Sequence, residues 1–109
     1  MATVSITKVE PREYLFIDRI KRKLNQTQYA SRMGCTRHQY SEIELGLRLP
    51  WFWVEKLILT EVEKCILLRR RKGWKQGQLA NKLGVTRTWI RFMETGDRNP
   101  ARLIEYWSS

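Results

Sequence analysis

Apolar side chains recur along this chain at the three-to-four-residue spacing of an amphipathic helix, and glycine, proline and threonine signals cut the pattern into short segments. Pro11 suits the first turn of a helix, and Leu15, Phe16, Ile17, Ile20 and Leu24 follow the helical period behind it. A second helix is predicted over 26–33, ending at Gly34, which can take the left-handed conformation that turns a chain sharply. Thr36 with Gln39 forms a capping box for a third helix, which runs to about Glu44 and stops at Gly46. Pro50, followed by Trp51, Trp53, Val54, Leu57 and Ile58, predicts a fourth. Thr60 with Glu63 offers another capping box, and helices are predicted over 61–72, 76–83, 87–94 and 101–107. Residues 1–10 read as a loose arm in which Val4, Ile6 and Val9 hint at extended chain. The predicted fold is all-α.

The pattern is written twice. Shifted by fifty residues, 25–50 falls on 75–100, pairing Gln26 with Gln76, Gln28 with Gln78, Ala30 with Ala80, Gly34 with Gly84, Thr36 with Thr86 and Arg37 with Arg87. Glu44 and Glu94, Gly46 and Gly96, Arg48 and Arg98, and Pro50 and Pro100 pair as well, and Arg19 pairs with Arg69 outside that window. Apolar character is also matched at Tyr29 and Leu79, Met33 and Leu83, Cys35 and Val85, Tyr40 and Ile90, and Ile43 and Met93. Chance likeness between amphipathic helices would not also align glycines, prolines and Thr-Arg pairs. The expected organisation is an arm over 1–10, a first helix-turn-helix unit over 11–59 and a second over 60–109. With no Gly/Ser-rich or Pro-rich spacer between them, the units are expected to pack as one body.

A short helix, a tight glycine turn and a second short helix leave the second helix proud of the surface, where its first side chains can enter a DNA major groove. Gln76, Leu79 and Ala80, then Leu83, Gly84, Val85 and Thr86, then Ile90, Met93, Glu94 and Gly96, resemble the Cro/C1-type, lambda-repressor-like helix-turn-helix family. The first unit is similar in register, with Tyr29 and Tyr40 in place of aliphatic residues. The resemblance implies two copies of that fold and a set of DNA-facing residues. Gln26 and Gln76 would sit on phosphates at the start of the second helix of each unit, with Gln28 and Gln78 also among the DNA-binding residues. Arg37, His38 and Ser41, and Arg87, Thr88 and Arg91, would reach base edges from the third helix, with Arg98 beside them. It also implies structural Arg-Glu pairs, Arg19 with Glu44 and Arg69 with Glu94.

Two departures from that pattern bear on specificity. Trp89 and Phe92 stand where the family shows polar side chains, so they face either thymine methyls and sugars or a protein. In the first unit Glu42 lies on the recognition helix, where a carboxylate repels phosphate unless it accepts from cytosine. Charge points the same way: 1–59 carries ten Lys/Arg against six acids, and 60–109 eleven against five. The second unit is therefore expected to be the principal reader. His38 is weighed between a base or phosphate contact and a plain surface position.

With 109 residues and a formal charge of +10, the chain is small and attracted to polyanions, and a roomy active-site cleft is not expected. Its most apolar stretch, 51–59, holds Glu55 and Lys56 and is far shorter than the ~20 residues of a membrane span. The first ten residues lack the basic start and apolar run of a secretory signal, so a cytoplasmic protein on the nucleoid or at a phage genome is expected. Cys35 and Cys65 occupy apolar positions and, with a single histidine, make no zinc site, so no metal and no cofactor are expected.

The reading is a sequence-specific double-stranded DNA-binding regulator of phage or bacterial type, a repressor, using two recognition helices. No nucleophile, paired carboxylate or phosphate loop points to an enzyme. Dimerisation through Trp51, Phe52, Trp53, Tyr106 or Trp107 is left open, although a tightly packed core would also use these aromatics. Also open are a protein-binding module on the same fold, anchored by Trp89 and Phe92 and acting on a host protein or a toxin, and an RNA-binding autoregulator.

Overall fold

A computed structural model describes residues 3–108; residues 1 and 2 of the expected arm and residue 109 of the second expected unit lie outside the described residues. Among the described residues the fold is all-α, with seven helices and no strand: α1 Pro11–Lys21, α2 Gln26–Met33, α3 Arg37–Glu44, α4 Glu61–Arg71, α5 Gln76–Leu83, α6 Arg87–Thr95 and α7 Ala101–Trp107. The chain divides into two compact units, Lys8–Leu57 and Met1–Thr7 with Ile58–Ser109. No helix is long and apolar enough to cross a membrane.

Local chemistry sets the helix ends. Asn25, Thr36 and Thr60 each accept from the backbone N–H three residues on, while Gln28, Gln39 and Glu63 return the bond to the cap residue's own N–H. Gly34 and Gly84 end α2 and α5 at φ +77° and +69°, as the predicted sharp turns require. After α4 the chain uses Gly73 at φ +73°, whereas the position fifty residues earlier, after α1, is Lys23 at φ +57°. A side chain there carries the left-handed strain that glycine avoids.

The fourth helix predicted behind Pro50 does not form, and residues 53–60 carry no regular structure. Its counterpart α7 does form, and the difference is local. Asn99 Oδ1 accepts from the Ala101 N–H at 3.0 Å and a helix-favouring alanine follows Pro100. The first copy reads Leu49, Pro50, Trp51, which offers no side-chain acceptor and continues into bulky and β-branched residues. The segment instead packs with a two-residue alternation: Phe52 and Val54 lie against the core of the first unit, while Trp51 and Trp53 face solvent, Trp53 at 87% exposure.

Each unit has its own core. In the first, Leu15, Tyr29, Ala30, Tyr40 and Ile43 are buried together. The two tyrosine rings lie 5.1 Å apart, and Tyr29 Oη donates to Asp18 at 2.7 Å while Tyr40 Oη donates to Glu44. Burial, reinforced by those carboxylates, pushes both phenols above their ordinary range. In the second, Cys65, Leu79, Ala80, Ile90, Met93 and Leu103 are buried with Val4. The segment read as a loose arm is thus fastened: Val4 is 1% exposed, its N–H donates to Glu61 Oε2 at 2.6 Å, and Thr7 O accepts from Arg71 at 2.8 Å. That backbone hydrogen bond also holds the Glu61 carboxyl below its ordinary value.

Candidate nucleic-acid interface

Helices α3 and α6 are presented by the same device in both units. Ala30 and Ala80 are buried beside the glycine turns, where a small side chain leaves room for close helix packing. Thr36 and Thr86 then cap the next helix, accepting from Gln39 N and Trp89 N at 3.1 Å each. Tyr40 and Ile43, and Ile90 and Met93, turn inward, so the first exposed turn carries Arg37 and His38 in one unit and Arg87 and Thr88 in the other.

A buried ion pair locks each helix in place. Arg19 donates to both oxygens of Glu44, at 2.7 and 3.3 Å, and Arg69 does the same to Glu94, at 2.8 and 3.1 Å. The remaining guanidinium nitrogen donates to a backbone carbonyl, Leu24 O at 3.1 Å or Trp74 O at 2.8 Å. The network therefore ties the end of the first helix of a unit to the end of its third and to the connection after the first. Burial lowers the Arg19 pKa, but the adjacent Glu44 carboxylate more than offsets it, leaving the guanidinium above its ordinary value.

The glutamines expected at the DNA have internal partners. Gln26 Nε2 donates to Glu44 at 3.1 Å and Gln76 Nε2 to Glu94 at 3.0 Å, extending the ion-pair networks to the start of α2 and α5. Gln28 and Gln78 accept from the cap residues Asn25 N and Lys75 N, at 2.9 and 2.7 Å. An amide nitrogen carries two hydrogens, so one N–H of Gln26 and Gln76 is left for an outside acceptor.

The exposed faces of α3 and α6 are not equivalent. In the first unit, Glu42 Oε1 lies 3.2 Å from Arg48 Nη2 and 3.5 Å from His38 Nε2, while Ser41 is half-buried. In the second unit Arg87, Thr88 and Arg91 are exposed, and the three arginines Arg87, Arg91 and Arg98 make no ion pair among the described residues. Arg98 stacks instead, with its guanidinium carbon 5.1 Å from the Trp89 ring centre and 5.9 Å from that of Phe92. The start of α5 adds Lys75 where α2 has the capping oxygen of Asn25. An open groove lined by Lys75, Gln76, Gln78, Asn81, Thr86 and Arg87 runs between the starts of α5 and α6.

Of the aromatics expected at a protein interface, Trp51, Trp53 and Trp89 are exposed and Phe92 is half-buried. Phe52, Tyr106 and Trp107 instead pack against the cores of their own units, with Trp107 5.8 Å from Trp74 and 5.1 Å from Tyr106. These three serve the interior because the slots they fill are made by residues distant in sequence. Lys75 and the Arg98 stack were not singled out from the sequence; the replacement of Asn25 by Lys75 across the repeat was the available signal for the first.

Fold and site together define a helix-turn-helix arrangement. Residues 67–105, from within α4 to within α7, match a family model described as helix-turn-helix domain. No curated protein and no solved structure matches the chain.

Proposed function

We propose that this protein is a sequence-specific double-stranded DNA-binding regulator of Cro/C1 type, built from two tandem helix-turn-helix units, with α6 as its principal reader. The observation that carries the reading is the exposed face of the first two turns of α6, where Arg87, Thr88 and Arg91 stand without a neutralising carboxylate beside the cationic groove at the start of α5. Arg87 is placed for bidentate donation to guanine, and Lys75 and the α5 N-terminus for the phosphate backbone. The first unit acts as the divergent partner, because Glu42 neutralises Arg48 and brings a carboxylate within 3.5 Å of His38 on the face that would meet phosphate. Binding rather than catalysis is its work, and a site overlapping a promoter would make it a phage or bacterial repressor.

Selection from a randomised duplex pool, followed by salt titration of the winning sequence, tests the reading. A discrete consensus is expected, with Arg87→Ala relaxing it at one base pair and costing about 1–3 kcal/mol. Lys75→Ala is expected to weaken all sequences alike and to flatten the salt dependence by about one unit of slope. Recovery of no consensus would refute the proposal, and retention of a specific protein complex lost on Trp89→Ala would favour the protein-binding alternative.

A further inference from the structure

The exposed faces of α3 and α6 share one pattern but differ in chemistry, at His38 against Thr88 and at three further positions. Gln39, Ser41 and Glu42 in the first copy are Trp89, Arg91 and Phe92 in the second. The arginine beyond the helix is kept in both copies and held in opposite ways. Arg48 donates to the Glu42 carboxylate at 3.2 Å, whereas Arg98 lies over the rings of Trp89 and Phe92 at 5.1 and 5.9 Å. A carboxylate positions a guanidinium by neutralising it. Ring faces position it and leave the full charge for a ligand.

The result on α6 is an apolar patch, with Trp89 39% exposed, set among Arg87, Arg91 and Arg98. The one carboxylate within α6, Glu94, is turned inward to Arg69, and that of Asp97, just beyond the helix, accepts from Thr95 Oγ1 at 3.0 Å. A matching partner must offer apolar points within a densely anionic surface. The major groove of duplex DNA does so wherever thymine occurs, because the C5 methyl group projects between two rows of phosphates. Trp89 and Phe92 are three residues apart, a rise of about 4.5 Å along the helix, which is comparable to the ~3.4 Å between successive bases on a strand. Two rings so placed reach one base-pair step or two neighbouring ones.

We propose that Trp89 and Phe92 are specificity-determining residues that read thymine methyl groups next to the base pair contacted by Arg87, with Arg98, held on their rings, bound to an adjacent phosphate. This rests on the DNA-binding reading of α6, and the test separates the two. With the full chain and its selected duplex, each thymidine is replaced in turn by 2′-deoxyuridine, which removes the methyl and keeps every hydrogen-bonding group. Loss of one or two particular methyls is expected to weaken binding by roughly fourfold to tenfold each. Trp89→Gln, which installs the first copy's side chain, is expected to abolish that sensitivity at one position.

A specific duplex indifferent to deoxyuridine at every position would overturn the proposal and leave the DNA-binding reading intact. Failure to select any duplex would overturn both. Tighter binding to single strands, weakened by Trp89→Gln, would show that the rings stack on unpaired bases and would overturn it too. Should Trp89→Gln lose its helical circular dichroism, the deoxyuridine scan of the unaltered protein decides alone.

Discussion

Replacing Glu94 by alanine removes the carboxylate that accepts from Arg69 Nε at 2.8 Å, Arg69 Nη2 at 3.1 Å and Gln76 Nε2 at 3.0 Å. What remains is a guanidinium whose side chain is 13% exposed, with Trp74 O as its surviving acceptor in that network. Removing one member of a buried pair costs about 3–5 kcal/mol, and the residual solvent contact of Arg69 places this case near the lower end, at about 3 kcal/mol. A unit of this size is stable by only about 3–9 kcal/mol, so the change removes a third of that stability or more. The corresponding fall in melting temperature is about 12–24 °C, read by far-ultraviolet circular dichroism. Arg69→Met combined with Glu94→Leu removes both charges and is expected to recover most of the loss, because the penalty comes from stranding a charge rather than from losing attraction. A shift below about 4 °C in Glu94→Ala, or a double variant no more stable than the single one, would refute the reasoning.

Four further outcomes follow from the packing. Val4→Ala is expected to destabilise the second unit by about 1–2 kcal/mol through lost methyl burial, and unchanged melting would mean the arm does not dock. Gly84→Ala is expected to cost about 1–2 kcal/mol from backbone strain alone, since an added Cβ would meet nothing within 4 Å. Lys23→Gly relieves the same strain at φ +57° and is expected to gain about 0.5 kcal/mol in urea unfolding. Burial raises the Cys65 thiol from 9.0 to about 12, so the folded unit keeps that proton at a pH where the unfolded chain has lost it. Stability from this source is full below pH 9 and declines as pH rises toward 12, with Tyr29 and Tyr40 adding the same sign higher up. The urea midpoint is therefore expected to fall between pH 8 and pH 10.5, less so in Cys65→Val, and a rise would contradict the assignment.

Much of the fold is legible because its signals are local. The spacing of Leu79, Leu83, Ile90 and Met93, the caps at Thr36 and Thr60, and the turns at Gly34 and Gly84 act within one or two helical turns. The Arg-Glu pairs were expected from the family resemblance and not from local spacing, since each joins residues twenty-five positions apart. The expected helix behind Pro50 failed because apolar spacing alone does not separate helix from extended chain in a short aromatic run. Gln28 and Gln78 were expected among the DNA-binding residues, but the same side chains also complete capping boxes, and the sequence pattern suits both uses.

Sequence alone carried the all-α class, the fifty-residue repeat, the bounds of most helices and the arginines at the start of α3 and α6, since each rests on near-neighbour geometry or on repetition. Tertiary structure decided what depends on slots built by distant residues: that Val4 fills the core of the unit containing Cys65 and Leu103, that Phe52 and Val54 turn inward while Trp53 does not, and that Tyr106 and Trp107 pack inside. It also decided that Arg98 rests on Trp89 and Phe92 while Arg48 is drawn to Glu42. That last difference sets how much charge each unit presents, and it arises because a ring face holds a cation without neutralising it.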